Sequence, residues 1–273
     1  MGYLIPNFII NFLRKIKNYK KNTFLKKLQF TYAKDIIYLG SNYGGWNLLN
    51  HKNLENEFII SAGLGEDASF DVELISKFNC KIIVVDPTPR AIEHYKEIIK
   101  NTGNEKLENY KNDGNQKISS YDLKNINKNN FILVSKALYN IKNKELKFFA
   151  PPNKNHVSYS LNNWQNNYKH SEDFIHVKTT TVKDILDKFG INQLQMIKLD
   201  IEGAEIEVLN NMIDEKIFPK QILVEFDELN ELSSIAISRF EKIHKKLIFE
   251  NYELVKTNNN FPNFLYVKST ELI

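Results

Sequence analysis

Short apolar runs that end in a glycine or an acid constrain this chain more than any other feature. Phe58-Ile59-Ile60-Ser61 leads into Gly63-Leu64-Gly65, Lys81–Val85 into Asp86-Pro87, Met196–Leu199 into Asp200, and Ile222-Leu223-Val224 into Glu225. Four or five β-branched or aliphatic residues are too few for a helix, and their lack of alternation marks strands covered on both faces. Between them the apolar residues change to helical spacing. Phe70, Leu74, Ile75 and Phe78 share a face within 67–78, as do Ile92, Tyr95, Ile98 and Ile99 within 91–99. Further helices are expected at Val182–Phe189, closed by Gly190, at Ala204–Met212 and at 232–251. Strands at Phe131–Val134 and Glu145–Phe149 and a final hairpin, Tyr252–Val255 with Phe264–Val267, complete the pattern. Strand, turn, helix and strand in succession predict an α/β fold, a Rossmann-like doubly wound sheet. Its first five strands are expected to be parallel, with an antiparallel edge hairpin and an N-terminal helical extension.

Composition removes several classes. Of the 273 residues 42% are hydrophobic, which suits a packed core, and the single cysteine, Cys80, allows no internal disulfide or cysteine-based zinc site. No uncharged apolar run reaches 18 residues, so a membrane span is not expected and the location expected is cytoplasmic. The net charge of +4 is unevenly spread. Residues 1–35 hold eight basic residues and one acid, and the remaining 238 sum to −3. A basic, amphipathic segment, 1–57 with its connector, therefore precedes an α/β domain at 58–273. Residues 101–130 read as an Asn- and Lys-rich surface excursion, and 151–173 as a long loop.

Ile5, Phe8, Ile9, Phe12, Leu13 and Ile16 recur at one-face helical spacing, with Arg14, Lys15, Lys17, Lys20 and Lys21 on the following turns. Two readings of this helix stay open, both through residues 4–28. It covers the domain or a second copy, or it lies on anionic lipid at the inner face of a membrane.

In an open α/β sheet ligands bind beyond the carboxyl ends of the strands, where strand order reverses. Gly63 and Gly65 bring bare backbone there, with Glu66 and Asp67 beside them. Asp86, 23 residues after Gly63, suits the hydroxyls of a ribose. No third glycine follows, since Ser69 and Phe70 stand in its place, and this argues against a dinucleotide dehydrogenase. Ile197-Lys198-Leu199-Asp200-Ile201-Glu202-Gly203-Ala204-Glu205 is the most specific segment, placing two acids where burial is costly without a purpose.

That segment resembles the FkbM-like family of S-adenosylmethionine-dependent methyltransferases, whose signature reads I-K-x-D-x-E-G-A-E before a helix. The glycine turn, Asp86-Pro87, Ala137-Leu138 and a strand ending in Glu225 follow the family order, over about residues 58–228. The resemblance implies S-adenosyl-L-methionine as cofactor, with Gly63 and Gly65 lining the adenosyl group, Asp86 at its ribose and Asp200 at the methionine end or the acceptor. The family's acid two residues before the first glycine is Ser61 here, and Glu66 or Asp67 is expected to take its place. Asp200 and Glu202 are the favoured catalytic residues, with Glu225 and His156 as further candidates for a base. His156, Tyr159 and Trp164 in the loop, with Glu225, form the expected acceptor site. The acceptor is expected to be a small molecule or a saccharide of a bacterial surface glycan, such as a capsule, methylated on oxygen. The spacing of His156, His170 and His176 does not call for a metal. The alternatives are an RNA ribose 2′-O-methyltransferase, which the acidic 36–273 region disfavours, and a non-catalytic adenosine-ligand domain that recruits a partner.

Overall fold

The computed structural model describes residues 7–150 (7–14 and 16 by backbone alone), 159–161, 173–258 and 261–272. The chain begins with α1 (Asn7–Leu25) and a hairpin of β1 (Ile36–Leu39) and β2 (Trp46–Leu49), then enters β3 (Phe58–Ala62), α2 (Ser69–Phe78), β4 (Lys81–Val85) and α3 (Pro89–Lys100). β5 (Phe131–Val134) is followed by β6 (Ala137–Leu138), β7 (Glu145–Phe149), β8 (Phe174–Thr180) and α4 (Val182–Phe189). β9 (Met196–Leu199), α5 (Glu205–Asp214), β10 (Gln221–Glu225), α6 (Ser234–Phe249), β11 (Tyr252–Val255) and β12 (Asn263–Lys268) complete it.

Seven strands form the central sheet in the order β11-β12-β10-β9-β3-β4-β5. β10, β9, β3, β4 and β5 are parallel, and β12 enters antiparallel beside β10 with β11 outside it. From β3 the chain winds outward through β4 and β5, then returns to β9 on the other side of β3. The strand order therefore reverses between β3 and β9, which is where a doubly wound sheet opens a crevice. Register sharpens this. Ala62 lies opposite both Val85 and Leu199, and Leu199 opposite Val224. One residue further on, Glu225, Asp200, Gly63 and Asp86 stand side by side along the carboxyl edge.

The structure departs from the sequence expectation in two places. Glu145–Phe149 is not one of the five parallel strands. It pairs antiparallel with β8 in a separate three-stranded sheet that β6 completes. Its charged residues Glu145 and Lys147 alternate with Leu146 and Phe148, a half-exposed pattern that cannot lie between covered strands. The 101–130 stretch has little regular structure, as expected, and of the apolar anchors expected in it Tyr121 and Leu123 are buried in the core beside Ile126, whereas Leu107 is exposed. The Tyr121 hydroxyl accepts from the Ala68 amide (3.0 Å) and lies 2.8 Å from His94 Nε2. Burial pushes His94 down to about 4, so its ring is neutral. Finally, the connector expected before residue 58 holds the β1–β2 hairpin, with Trp46, Leu48 and Leu49 in the core and the Gln221 side chain bonded to both backbone groups of Leu49.

Candidate active site

The carboxyl edge opens into a cavity of about 720 Å³. One wall is the glycine turn with Glu66, Asp67, Asp86, Pro87 and Thr88. The other carries Lys198, Asp200, Ile201, Glu202 and Glu225, and Tyr43, Trp46, Phe148, Tyr159 and Phe261 supply aromatic surface. Of the residues expected from the sequence, Gly63, Gly65, Glu66, Asp67, Asp86, Tyr159, Asp200, Glu202 and Glu225 all line this one space. His156 and Trp164 lie outside the described residues.

The turn after β3 is set by close packing. Gly63 has φ +85°, and a Cβ there would meet the Asp200 carbonyl oxygen at 1.8 Å. Two strand ends thus cross at van der Waals limit, which only glycine permits. Asp86 locks the turn: its Oδ2 accepts from the Leu64 (2.9 Å) and Gly65 (3.2 Å) amides, and its Oδ1 from the Thr88 amide and hydroxyl. Glu66 is gripped by Arg90, whose Nε donates at 3.0 Å, and by Asn115. Asp67 accepts from the Ser41 hydroxyl (2.6 Å), the Ser69 amide (2.9 Å) and the Gln116 side chain (3.2 Å). The two acids expected to replace the family's missing carboxylate are therefore engaged in tying the 36–46 hairpin and the 101–130 excursion to the turn. Ser61 itself is fully buried, and Asp71 on α2 brings a further buried carboxylate near Lys198. Burial raises the Asp71 pKa, and the Lys198 charge opposes that rise.

Lys198 is buried at 4% exposure, and its ammonium donates to the Gly63 carbonyl (2.5 Å), lies 3.6 Å from Asp200 Oδ2 and sits 5.7 Å from the Trp46 ring. In the sequence this lysine stood out as part of the I-K-x-D-x-E-G-A-E segment. It bridges the two walls where the strand order reverses.

After β9 the chain makes a tight reversal, with Glu202 at φ +56° and Gly203 at φ +101°. Glu205 makes the reversal possible. Its Oε1 accepts from the Ile201 and Gly203 amides (both 3.1 Å) at complete burial. Burial, with Asp227 adding to it, pushes its pKa well above the carboxylate range. The sequence presented Glu205 as one more acid of the signature, whereas it is the template on which Asp200 and Glu202 are displayed. A pH prediction follows from its raised pKa. Between the unfolded and folded pKa values the folded protein keeps a proton that the unfolded chain has lost, so stability falls as pH rises. Urea unfolding at about pH 5 and about pH 8 should show wild type losing more stability over that interval than Glu205→Gln, whose amide oxygen still accepts from both amides. Parallel losses in the two proteins would contradict a protonated Glu205.

Glu225, at the end of β10, is a strongly perturbed acid facing the cavity. Burial comes first, and the charges of Asp200, Glu202 and Asp227 add to it, holding its pKa well above the ordinary range. Tyr43 faces the same acids from the opposite side, and burial followed by Asp200, Glu202 and Glu225 raises its phenol. Gly114 in the excursion leaves the room that the Tyr43 ring occupies. The Tyr43–Trp46 turn is a wall of the cavity. Tyr159 is held in place by its neighbour Ser160, whose hydroxyl donates to the Glu202 carbonyl (3.0 Å). Among the described residues, no group of three or more His, Cys, Asp or Glu is placed to hold a metal ion.

This sheet order, with a glycine turn and acids at the reversal point, defines a Rossmann-like α/β domain built to hold a small ligand at its carboxyl edge. The chain belongs to the methyltransferase FkbM domain family, which matches residues 50–254. Membership makes it a methyltransferase and implies an S-adenosylmethionine-type donor. No curated protein matches the chain. Among solved structures it is similar to a fibrillarin/Nop5p complex (12% identity over 78% of this chain and 72% of that one, TM-score 0.38). It is also similar to precorrin-6y C5,15-methyltransferase from Geobacter metallireducens GS-15 (11% identity, 80% and 83%, TM-score 0.38).

Proposed function

We propose that the protein is an O-methyltransferase that uses S-adenosyl-L-methionine and acts on a hydroxyl of a neutral polar acceptor, a saccharide before others. The observation that carries this is the division of the cavity into a glycine-turn wall and a carboxylate wall joined at Lys198. The turn wall fits the cofactor, because the bare backbone of 63–65 and the Asp86 carboxylate face one space. When bound, the cofactor supplies an electrophilic methyl group on a sulfonium centre. Gly63 and Gly65 would hold its adenosyl part and Asp86 its ribose, with the Asp86 bonds to the turn keeping that carboxylate aimed. Asp200, on the reversal point, puts negative charge where a cationic centre is favoured.

The carboxylate wall serves the acceptor. Positioning supplies much of a methyl transfer, since the attacking oxygen must lie in line with the bond that breaks. Tyr43, Phe148 and Tyr159 offer faces for a sugar ring, and Asn230 and Asn263 paired donors and acceptors for its hydroxyls. Glu225 is assigned as the base that takes the hydroxyl proton, because its pKa is pushed toward the working pH of a general base. The same concentration of carboxylates repels phosphate, which favours a neutral sugar over an RNA backbone. A bacterial surface glycan such as a capsule remains the natural source of that acceptor class.

Calorimetry tests the reading directly. S-adenosylmethionine should bind one site per chain and NAD should not, and heat from NAD alone would overturn the assignment. Incubation with a saccharide panel should then release S-adenosylhomocysteine in step with methylated product.

A further inference from the structure

The N-terminal helix takes no part in the site, yet it ends against it. Phe24 is buried, with its ring 5.3 Å from Phe240 and 6.0 Å from Phe261, and Lys21 lies 5.4 Å over that same Phe261 ring. Phe261 also lines the cavity. The last turn of α1 is therefore fixed beside the cavity mouth. Upstream of that anchor the described side chains from 15 to 20 point into solvent. Lys15, Lys17, Asn18, Tyr19 and Lys20 are all exposed. Successive helical residues turn by about 100°, so Lys17 to Lys20 sweep most of the circumference and the body covers no side of that turn.

Charge identifies what this segment meets. Residues 1–34 hold eight cations and no acid, while 36–273 net −3. The upstream sequence puts Phe8, Ile9, Phe12, Leu13 and Ile16 on one helical face. An apolar stripe followed by lysines, with tyrosines at 73% (Tyr19) and 84% (Tyr32) exposure, is the composition of a helix that lies in a lipid headgroup layer. Among the described residues no helix is long and apolar enough to cross a membrane. We infer that α1 docks the protein on an anionic membrane surface and, through Phe24 and Lys21 on Phe261, turns the cavity mouth toward that surface. The docking stands apart from the chemistry. Its consequence, an acceptor carried at the membrane, rests on the methyl-transfer reading above.

Flotation of the full chain with phosphatidylcholine vesicles, with and without phosphatidylglycerol, tests the docking. The protein should float only with the anionic vesicles and be released by salt. Reversing Lys15, Lys17 and Lys20 together to Glu should weaken this binding about 100-fold or more, since each surface cation contributes separately. These side chains are exposed, so S-adenosylmethionine titration of the triple variant should match wild type. That titration reads the methyltransferase assignment independently of the membrane. Orientation is tested with fluorophores on Asn258→Cys at the cavity rim and on Asn104→Cys beyond the end of α3, since Cys80 is buried and unreactive. Only the rim label should shift to the blue on anionic vesicles. Equal flotation of wild type and triple variant would overturn the proposal. So would a wild type that stays off both vesicles, whether it forms a dimer or binds RNA that the triple variant does not. A shift confined to Asn104 would refute the orientation.

Discussion

Gly63→Ala should be among the most damaging single substitutions in the chain. The expected result is a loss of about 4 kcal/mol or more, with no measurable S-adenosylmethionine binding in any protein that stays folded. Two effects combine at this position. The left-handed φ of +85° costs an alanine about 1 kcal/mol. The larger effect is steric, because the new methyl group would sit 1.8 Å from the Asp200 carbonyl oxygen, a backbone atom held by the Asp200 amide bond to Ala62 (3.1 Å). The strands cannot part without breaking the β3–β9 ladder on which the crevice depends. Gly103 separates the two effects, for its φ is +88° and nothing lies within 4 Å of the same added carbon. Gly103→Ala should therefore lose about 1 kcal/mol in urea unfolding and keep full cofactor affinity. Similar losses at the two positions would show that conformation, not collision, decides.

How much of this was legible beforehand depends on the range over which each feature is determined. The covered strands and the helices between them were readable because their signals are local. Val182–Phe189 with Gly190 as its left-handed cap matches the sequence expectation residue for residue. The glycine turn and the acids at strand ends were legible for the same reason, and parallel register alone then brings them together. What escaped was decided by partners distant in sequence. The β1–β2 hairpin holds its place through Gln221, 172 residues from Leu49. Its strands are only four residues each, and the turn residues around Gly44-Gly45 dominated the pattern. β8 alternates exposed residues with partly or fully buried ones beside the Asn-rich loop before ending on buried Thr179-Thr180, and it is a strand because β7 pairs with it. Within the site, residue type was visible but role was not. Glu202 and Glu205 look alike in the signature, yet one lines the cavity and the other is fully buried under two amides. Asp67 looked like a ligand group; it lines the cavity and is also a fastener, a second role set by Ser41 and Gln116 from two separate segments.

Glu225→Gln carries the second large effect, and it falls on rate rather than binding. With a saccharide that turns over, kcat/KM should drop about 10²- to 10⁴-fold while S-adenosylmethionine affinity stays within about twofold, because the side chain lies on the acceptor wall. The pH dependence gives a signature that a structural role would not. A base works deprotonated, so wild-type kcat/KM should climb with pH along a limb placed well above the ordinary carboxylate range, where burial and the neighbouring acids hold Glu225. Glu225→Gln should lose that limb along with the rate. Glu202→Gln should move it instead: with one negative neighbour removed, the Glu225 anion is easier to form and the limb shifts to lower pH. Asp200→Asn acts where the carboxylate wall meets the glycine turn. It removes the carboxylate 3.6 Å from Lys198, whose ammonium also holds the Gly63 carbonyl, and should raise the cofactor's dissociation constant. A collapse in rate with Asp200→Asn, alongside an unchanged limb in Glu225→Gln, would transfer the base to Asp200 and leave Glu225 as a binding group. The expected separation follows from placement: Asp200 stands where the strand order reverses, next to the turn that receives the cofactor, and Glu225 stands one strand further out, where burial and then the neighbouring acids make it basic.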